Sequence, residues 1–519
     1  MADSTRHFYR SRLLPAKSDS SVLRATEPAG LNAAVPVAEP LRAASFRDPG
    51  GRVIRSGGRI LRFVVPEAVA ELRSVLAHPV PRRLVEAGRV VRSRELSIWE
   101  AAEYTRDPAF RSIVRNCSDG AIFEHEAIPF PTYPYEWSPE MLHAAGLLTI
   151  DMALELLGAG LGLKDATPYN VLFRGPDPVF VDLLSFERRR SDDPTWLPCA
   201  QFLRTFLFPL LLDRTGTADI AEIFLARRDG ITVLETFGRL SLARKLSPRC
   251  LFTVTMPALL SGAAESKHRS LYRSRSVQDP DRAAFVLTAL LRSLRRRIVV
   301  LEPKGGRKSR WSAYMAETGN NYSAEAMEKK ELFVRDFIRQ QQPARVLDVG
   351  CNTGRFSFIA AEGGSDVVAI DSDPVVAGEV WRAARKRGLR VLPMVQDICR
   401  PSAATGWRNT ECPSFLERAS GAFDAVFFLA VIHHMLVSER VPLDEVIGLA
   451  AQLTTTHAIV EFVSPSDSMF QRLARGRDEL HSGLTTAVFE DVCAERFRVL
   501  EKLPLPGGTR FLYHLRKRQ

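Results

Sequence analysis

Apolar positions in the C-terminal part of the chain fall into short runs, each closed by an acid or another polar residue. Val346-Leu347-Asp348-Val349 runs into Gly350-Cys351-Asn352-Thr353-Gly354. This predicts a strand that enters a glycine turn and opens a helix. Gly350 and Gly354 carry no Cβ, so the backbone there can come close to a ligand. Val367-Val368-Ala369-Ile370-Asp371 predicts a second buried strand, and residues 390–395 a third, running into Gln396-Asp397-Ile398. Residues 423–429 predict a fourth, ending near His433 and His434. A fifth, 458–463, carries Glu461 among apolar neighbours, so that carboxylate needs a partner: a histidine to orient, or an arginine. Residues 497–503, the turn Pro504-Leu505-Pro506-Gly507-Gly508 and residues 510–515 predict a closing hairpin.

The N-terminal part reads differently. Residues 52–55 and 59–65 flank Ser56-Gly57-Gly58 and predict a small hairpin. Residues 67–120 read as helices with short loops. Residues 123–137 hold three prolines and several aromatics, which stiffen an extended path. They predict a proline-braced loop on the core or the wall of a substrate groove. Residues 144–163 come nearest to a membrane-spanning run, but Asp151 and Glu155 interrupt it, as in a buried amphipathic helix. Ser323 predicts the cap of a helix reaching about Gln340, with Asn321 and Tyr322 as lid candidates. The expected division is a basic, disordered tail over 1–45, a mainly helical α+β region over 46–290, a basic linker over 291–320 and an α/β domain over 321–519.

Composition narrows this only a little. The 519 residues are 45% hydrophobic and 25% charged, ordinary globular usage. The net charge of +11 favours anionic surroundings, with nucleic acid among them. Seven cysteines form no C-x-x-C pair, so no zinc-ribbon spacing or other metal site is expected, and a cytoplasmic location is simplest. Cys351 reads as a small residue on a tight bend rather than a nucleophile.

Asp371 lies about 20 residues past the glycine turn, where a carboxylate reaches ribose hydroxyls. A nicotinamide dehydrogenase competes at this point, but Asn352 stands where its fingerprint needs a middle glycine. The ordered set of strand tips resembles the class I S-adenosylmethionine-dependent methyltransferases over about the last 220 residues. The resemblance implies a Rossmann-like, seven-stranded, mostly parallel sheet with a reversed terminal strand. It implies that Asp348, Gly350, Cys351, Asn352 and Gly354 face the methionine part of the cofactor, Asp371 the ribose, and Asp397 with Ile398 the adenine. His433 and His434 would stand on the acceptor side as base candidates. No Asn-Pro-Pro-Tyr or Asp-Pro-Pro-Tyr and no Pro-Cys follows the fourth strand, which argues against adenine-amino and cytosine-C5 chemistry. A small molecule, glycan or lipid-linked hydroxyl, amine or carbon remains as acceptor, with an RNA methyltransferase as alternative.

A second constellation lies upstream. Asp165, Asn170 five residues on, and Asp182 after the next strand resemble the catalytic loop and metal-binding acid of kinase-like folds. That implies either a phosphotransferase or nucleotide-binding module, or a scaffold that binds without transferring phosphate. Leu163-Lys164 replaces the usual His-Arg, Leu183-Leu184 the usual Phe-Gly, and a glycine-rich phosphate loop is missing. The whole order of motifs, from Tyr133-Pro134-Tyr135-Glu136-Trp137 to Ile432-His433-His434, resembles bacterial fusion-like methyltransferases, nodulation-associated ones among them.

Overall fold

The computed structural model describes residues 42–43, 47–115, 119–264, 279–307, 309 and 322–518. Nearly all of the expected tail lies outside them, as do Cys117, Trp311, Tyr314, Asn320 and Asn321. The N-terminal sheet is antiparallel, in the order β1-β2-β3-β5-β4. Its strands are β1 (Arg42–Ala43), β2 (Gly51–Ser56), β3 (Arg59–Val64), β4 (Ser93–Glu95) and β5 (Ala121–His125). The expected hairpin is β2–β3. Strand β4 breaks the stretch read as helical: it is three largely exposed polar residues with no apolar alternation to betray it.

The helix Pro139–Leu157 follows, its start capped by Ser138 Oγ accepting from the Met141 N–H. It is buried along most of its length. Then come β6 (Leu161–Leu163), the hairpin of β7 (Val171–Arg174) and β8 (Asp177–Phe180), and β9 (Phe186–Arg188), which pairs back onto β6. The helix Pro280–Val300 packs on Pro139–Leu157 through Ala283, Leu287, Leu291, Leu294 and Ile298. Arg295 on its outer side pairs with Asp151 at 2.5 Å. The linker expected from 291 therefore starts inside a helix. The apolar stripe at spacings of three and four continues past that boundary, and it holds the segment on the N-terminal domain.

The C-terminal domain holds one seven-stranded sheet, ordered β12-β11-β10-β13-β14-β16-β15. Its strands are β10 (Arg345–Val349), β11 (Asp366–Asp371), β12 (Val391–Val395), β13 (Phe423–Phe428), β14 (Thr454–Val463), β15 (Phe497–Pro504) and β16 (Arg510–Lys517). Strands β10 to β14 are mutually parallel where they pair, and β16 runs antiparallel to β14 and β15. The order reverses beside β10, the switch point at which open α/β sheets bind ligands. This is the expected α/β Rossmann-like fold with its reversed closing hairpin. The helix Ala324–Gln341 is capped by Ser323, as its sequence predicts.

The two parts share one apolar core. Phe130 packs against Phe415 and Phe423, with ring centroids 6.1 and 5.6 Å apart. Trp381 Nε1 donates to the Pro176 carbonyl at 2.9 Å. Residues 123–137 thus brace the junction between the two parts, as a proline-braced loop packed on the core. Glu136 is the centre of the brace. Its Oε2 accepts from Thr132 Oγ1 and the Tyr133 N–H, both at 3.1 Å. Its Oε1 takes Ser402 Oγ at 2.6 Å and the Arg418 guanidinium. The side chains of this ion pair are 0 and 2% exposed. Removing one member of a buried pair strands the other charge, at about 3–5 kcal/mol. Arg418→Ala is therefore expected to lower unfolding free energy by about that much in urea titration. A loss below about 1 kcal/mol would show that the brace is dispensable.

Candidate functional site

The carboxyl ends of β10, β11, β12 and β13 open into a cavity of about 350 Å³. Positive φ angles at Gly350 (+67°) and Gly354 (+81°) make the turn after β10 possible. A Cβ on Gly350 would sit 2.4 Å from Val431 Cγ2, so the close approach is steric as well as conformational. The Gly350 and Cys351 N–H groups both donate to the Ile370 carbonyl, at 2.8 and 3.0 Å. Asp371 completes the clamp: its Oδ2 accepts from the Asn352 N–H and its Oδ1 from the Asp373 N–H, each at 3.0 Å. Two oxygens, each with one backbone donor, keep the carboxylate pointed at the cavity and leave lone pairs for a ligand.

Asp348, Gly350, Cys351, Asn352, Asp371, Asp397 and Ile398 all line the cavity. Gly354 does not. It caps the helix Arg355–Glu362 in a left-handed conformation, and a Cβ there would crowd Phe358 and Val380. Its role is structural, a distinction that glycine spacing alone cannot make. Asp397 Oδ1 accepts from the Cys399 N–H at 2.9 Å, and its Oδ2 pairs with Arg400. Beside it, Gln396 Oε1 is buried with no hydrogen-bond partner among the described residues. A buried carbonyl left without a donor fits a polar ligand at this place.

The histidine pair is split by the fold. His434 lines the cavity, whereas His433 is 1% exposed and does not. Burial drives the His433 pKa well below its ordinary value, and neither ring nitrogen has a partner among the described residues. Adjacent residues on the helix Ile432–Val437 point in different directions, so only one of the two reaches the ligand space.

Glu461 meets cations, not a histidine. It pairs with Lys330 and, at 3.4 Å, with Arg510, and it accepts from the Tyr322 hydroxyl. Lys330 is 2% exposed and lines the cavity together with Tyr322. Burial lowers its pKa, and the Glu461 carboxylate opposes that shift. Arg510 is held in turn by Asp467 at 2.9 Å. Lys330 escaped the sequence reading, although it left a signal. It stands on the apolar stripe Ala326, Lys330, Phe333, Val334, Phe337, Ile338, where a charge has to be paired.

The upstream constellation is only partly assembled. Asp165 and Asp182 are close enough for Asp182 to raise the Asp165 pKa, after a larger effect of burial. Gln201 Nε2 donates to Asp165 at 3.4 Å. Arg62 occupies Asp182 at 2.8 Å, and the same Arg62 donates to His125. The Asn170 side-chain nitrogen is buried without a hydrogen-bond partner among the described residues.

A methyltransferase domain family matches residues 320–487. Over 473 residues the chain is 32% identical to the nodulation protein NoeA of Rhizobium meliloti (strain 1021), covering 91% of this chain and 95% of that one. Among solved structures, the N-methyltransferase NodS of Bradyrhizobium japonicum WM9 is 15% identical, over 38% of this chain and 99% of that one, with a TM-score of 0.29. The magnesium protoporphyrin IX methyltransferase ChlM of Synechocystis PCC 6803 is 16% identical, over 40% and 90%, with a TM-score of 0.30.

Burial pushes Asp371 up to about 6 and Asp348 up to about 7, from an ordinary 3.8. The folded chain holds these protons more tightly than the unfolded one. The stability they contribute without ligand is therefore lost as pH rises through about 6 to 7. A cationic ligand that uses the ionised carboxylates offsets that loss. The rise in Tm caused by S-adenosylmethionine is thus expected to be larger at about pH 8 than at about pH 5.5. Equal rises in a thermal-shift titration would contradict this.

Proposed function

Because the chain belongs to the family that includes the nodulation protein NoeA, and is a class I S-adenosylmethionine-dependent methyltransferase, we propose that it methylates a hydroxyl or amine of a small molecule or glycan, with His434 as the acceptor-side base. The carrying observation is that His434 alone of the pair lines the cavity, next to Met435, Ser438 and Glu439. His434, Ser438 and Glu439 offer polar groups to an acceptor that can hydrogen-bond. The relative's designation as a nodulation protein gives the biological setting we propose for the same activity here.

The orphaned Gln396 oxygen, the Gly350 approach and the held Asp371 carboxylate fit the cofactor. Asp371 would hold the ribose hydroxyls, and Asp397 with Ile398 the adenine. The backbone at 350–352 and Lys330 would hold the methionine end. The bound cofactor supplies an electrophilic methyl on a sulfonium. The chain's work is then alignment, exclusion of water and removal of the acceptor proton. Tyr322 lies against the Lys330 and Arg510 charges, closing one side of the cavity.

For the N-terminal domain we propose a kinase-like scaffold that helps seat the acceptor. The order β6, the loop with Asp165 and Asn170, the hairpin β7–β8, Asp182 and β9 supports it. Phosphate transfer is not favoured, because the carboxylate that would hold magnesium already neutralises Arg62.

His434→Ala is expected to lower turnover by about 10²–10⁴ while S-adenosylmethionine affinity stays within about twofold. The test follows radiolabelled methyl from the cofactor into lysate fractions separated as lipid, glycan, RNA, protein and small molecules. Unchanged turnover would remove His434 as the base. Label confined to RNA or protein would overturn the acceptor class.

A further inference from the structure

The helical run 248–264 presents its large apolar side chains outward. It is α-helical over Pro248–Cys250 and Met256–Ala264, with a π-helical turn Leu251–Thr255 between them. Phe252, Met256, Leu259 and Leu260 follow the spacing i, i+4, i+7, i+8 of a single face. They are 69, 42, 62 and 61% exposed. The buried face consists of Cys250, Thr253, Val254, Thr255 and Ala258. A helix serving only the core of this domain would have these faces reversed.

The orientation is pinned, not accidental. Arg297 donates to Thr253 Oγ1, and Thr255 Oγ1 donates to the Lys245 carbonyl at 2.7 Å. Both anchors are on the inner face, so the outer face cannot roll inward without breaking them. Just upstream, Leu242 and Leu246 are 74 and 65% exposed and also four residues apart.

Charge selects the partner. Between Glu235 and Glu265 the chain carries Arg239, Arg244, Lys245 and Arg249 and no acid. Arg239 is paired with Glu222, and Arg244 donates to the uncharged Thr215 carbonyl, so Arg244, Lys245 and Arg249 have no acidic partner within this run. A second copy docked on this face would oppose these bases with its own. An anionic lipid surface offers both an apolar layer and phosphates. We propose that the face from Leu242 to Leu260 rests on an anionic membrane surface, with Phe252, Met256, Leu259 and Leu260 at the headgroup boundary and Arg244 and Arg249 against lipid phosphates. No helix among the described residues is long and apolar enough to cross a membrane, so the attachment is in the plane of the interface.

The test is co-sedimentation of the full chain with phosphatidylcholine vesicles made with and without phosphatidylserine. Expected is binding to the anionic vesicles that weakens with added salt. The double variants Phe252→Ser/Leu259→Ser and Arg244→Glu/Arg249→Glu should each weaken it by at least about tenfold. S-adenosylmethionine affinity should be unchanged in both, which shows that they fold. The proposal is overturned by no binding to anionic vesicles, by equal binding to neutral ones, or by variants that bind like the parent chain. It is also overturned if light scattering shows an oligomer that Phe252→Ser/Leu259→Ser disperses.

Discussion

The cavity at the strand tips depends on one carboxylate, Asp371, clamped between two backbone N–H groups at the tip of β11. One of those donors, Asn352, belongs to the turn after the neighbouring strand β10. The bond therefore fixes the glycine turn and the ligand-facing acid relative to each other. The Ile370 carbonyl adds two more bonds to the same turn. Parallel pairing of β10 with β11 brings the two tips side by side, so the register of the sheet becomes the geometry of the site. Gly350 is needed because any side chain there would meet Val431.

Around this clamp the domain buries charge. Lys330, Glu461, Arg510 and Asp467 form a chain of ion pairs from the cavity wall to the closing hairpin. Such groups cost several kcal/mol each to desolvate, and the mutual attraction offsets this only with good geometry. On the cavity wall Lys330 interacts favourably with both Asp348 and Glu461. The Glu136–Arg418 pair works on a different link, packing. It joins the N-terminal domain to the methyltransferase sheet through a stiff Pro-rich segment.

The strand tips were legible because the parallel strands are largely apolar runs, three of which, β10 to β12, carry an acid at or just past the carboxyl end, and the fold places such ends together. The closing hairpin and the Ser323 cap were legible from turn and capping chemistry. Other features were not. Gly354 has the spacing of a ligand glycine but serves as a helix cap, and only backbone conformation tells the two apart. His433 and His434 look equivalent in sequence, and the helix turns one of them away. Lys330 and Arg510 lie 180 residues apart in sequence and meet only through Glu461, a contact that no local pattern encodes. Strand β4 and the continuation of helix Pro280–Val300 past residue 291 were decided by tertiary packing over local composition.

The central claim is that Asp371 and the turn at 350–352 together hold S-adenosylmethionine. Calorimetric titration of the cofactor into the parent chain and into Asp371→Ala tests it most directly. Saturable one-to-one binding by the parent is expected, with a loss of at least about tenfold in the variant, the scale of a lost hydrogen bond to a charged group. Equal affinity in both proteins would contradict it.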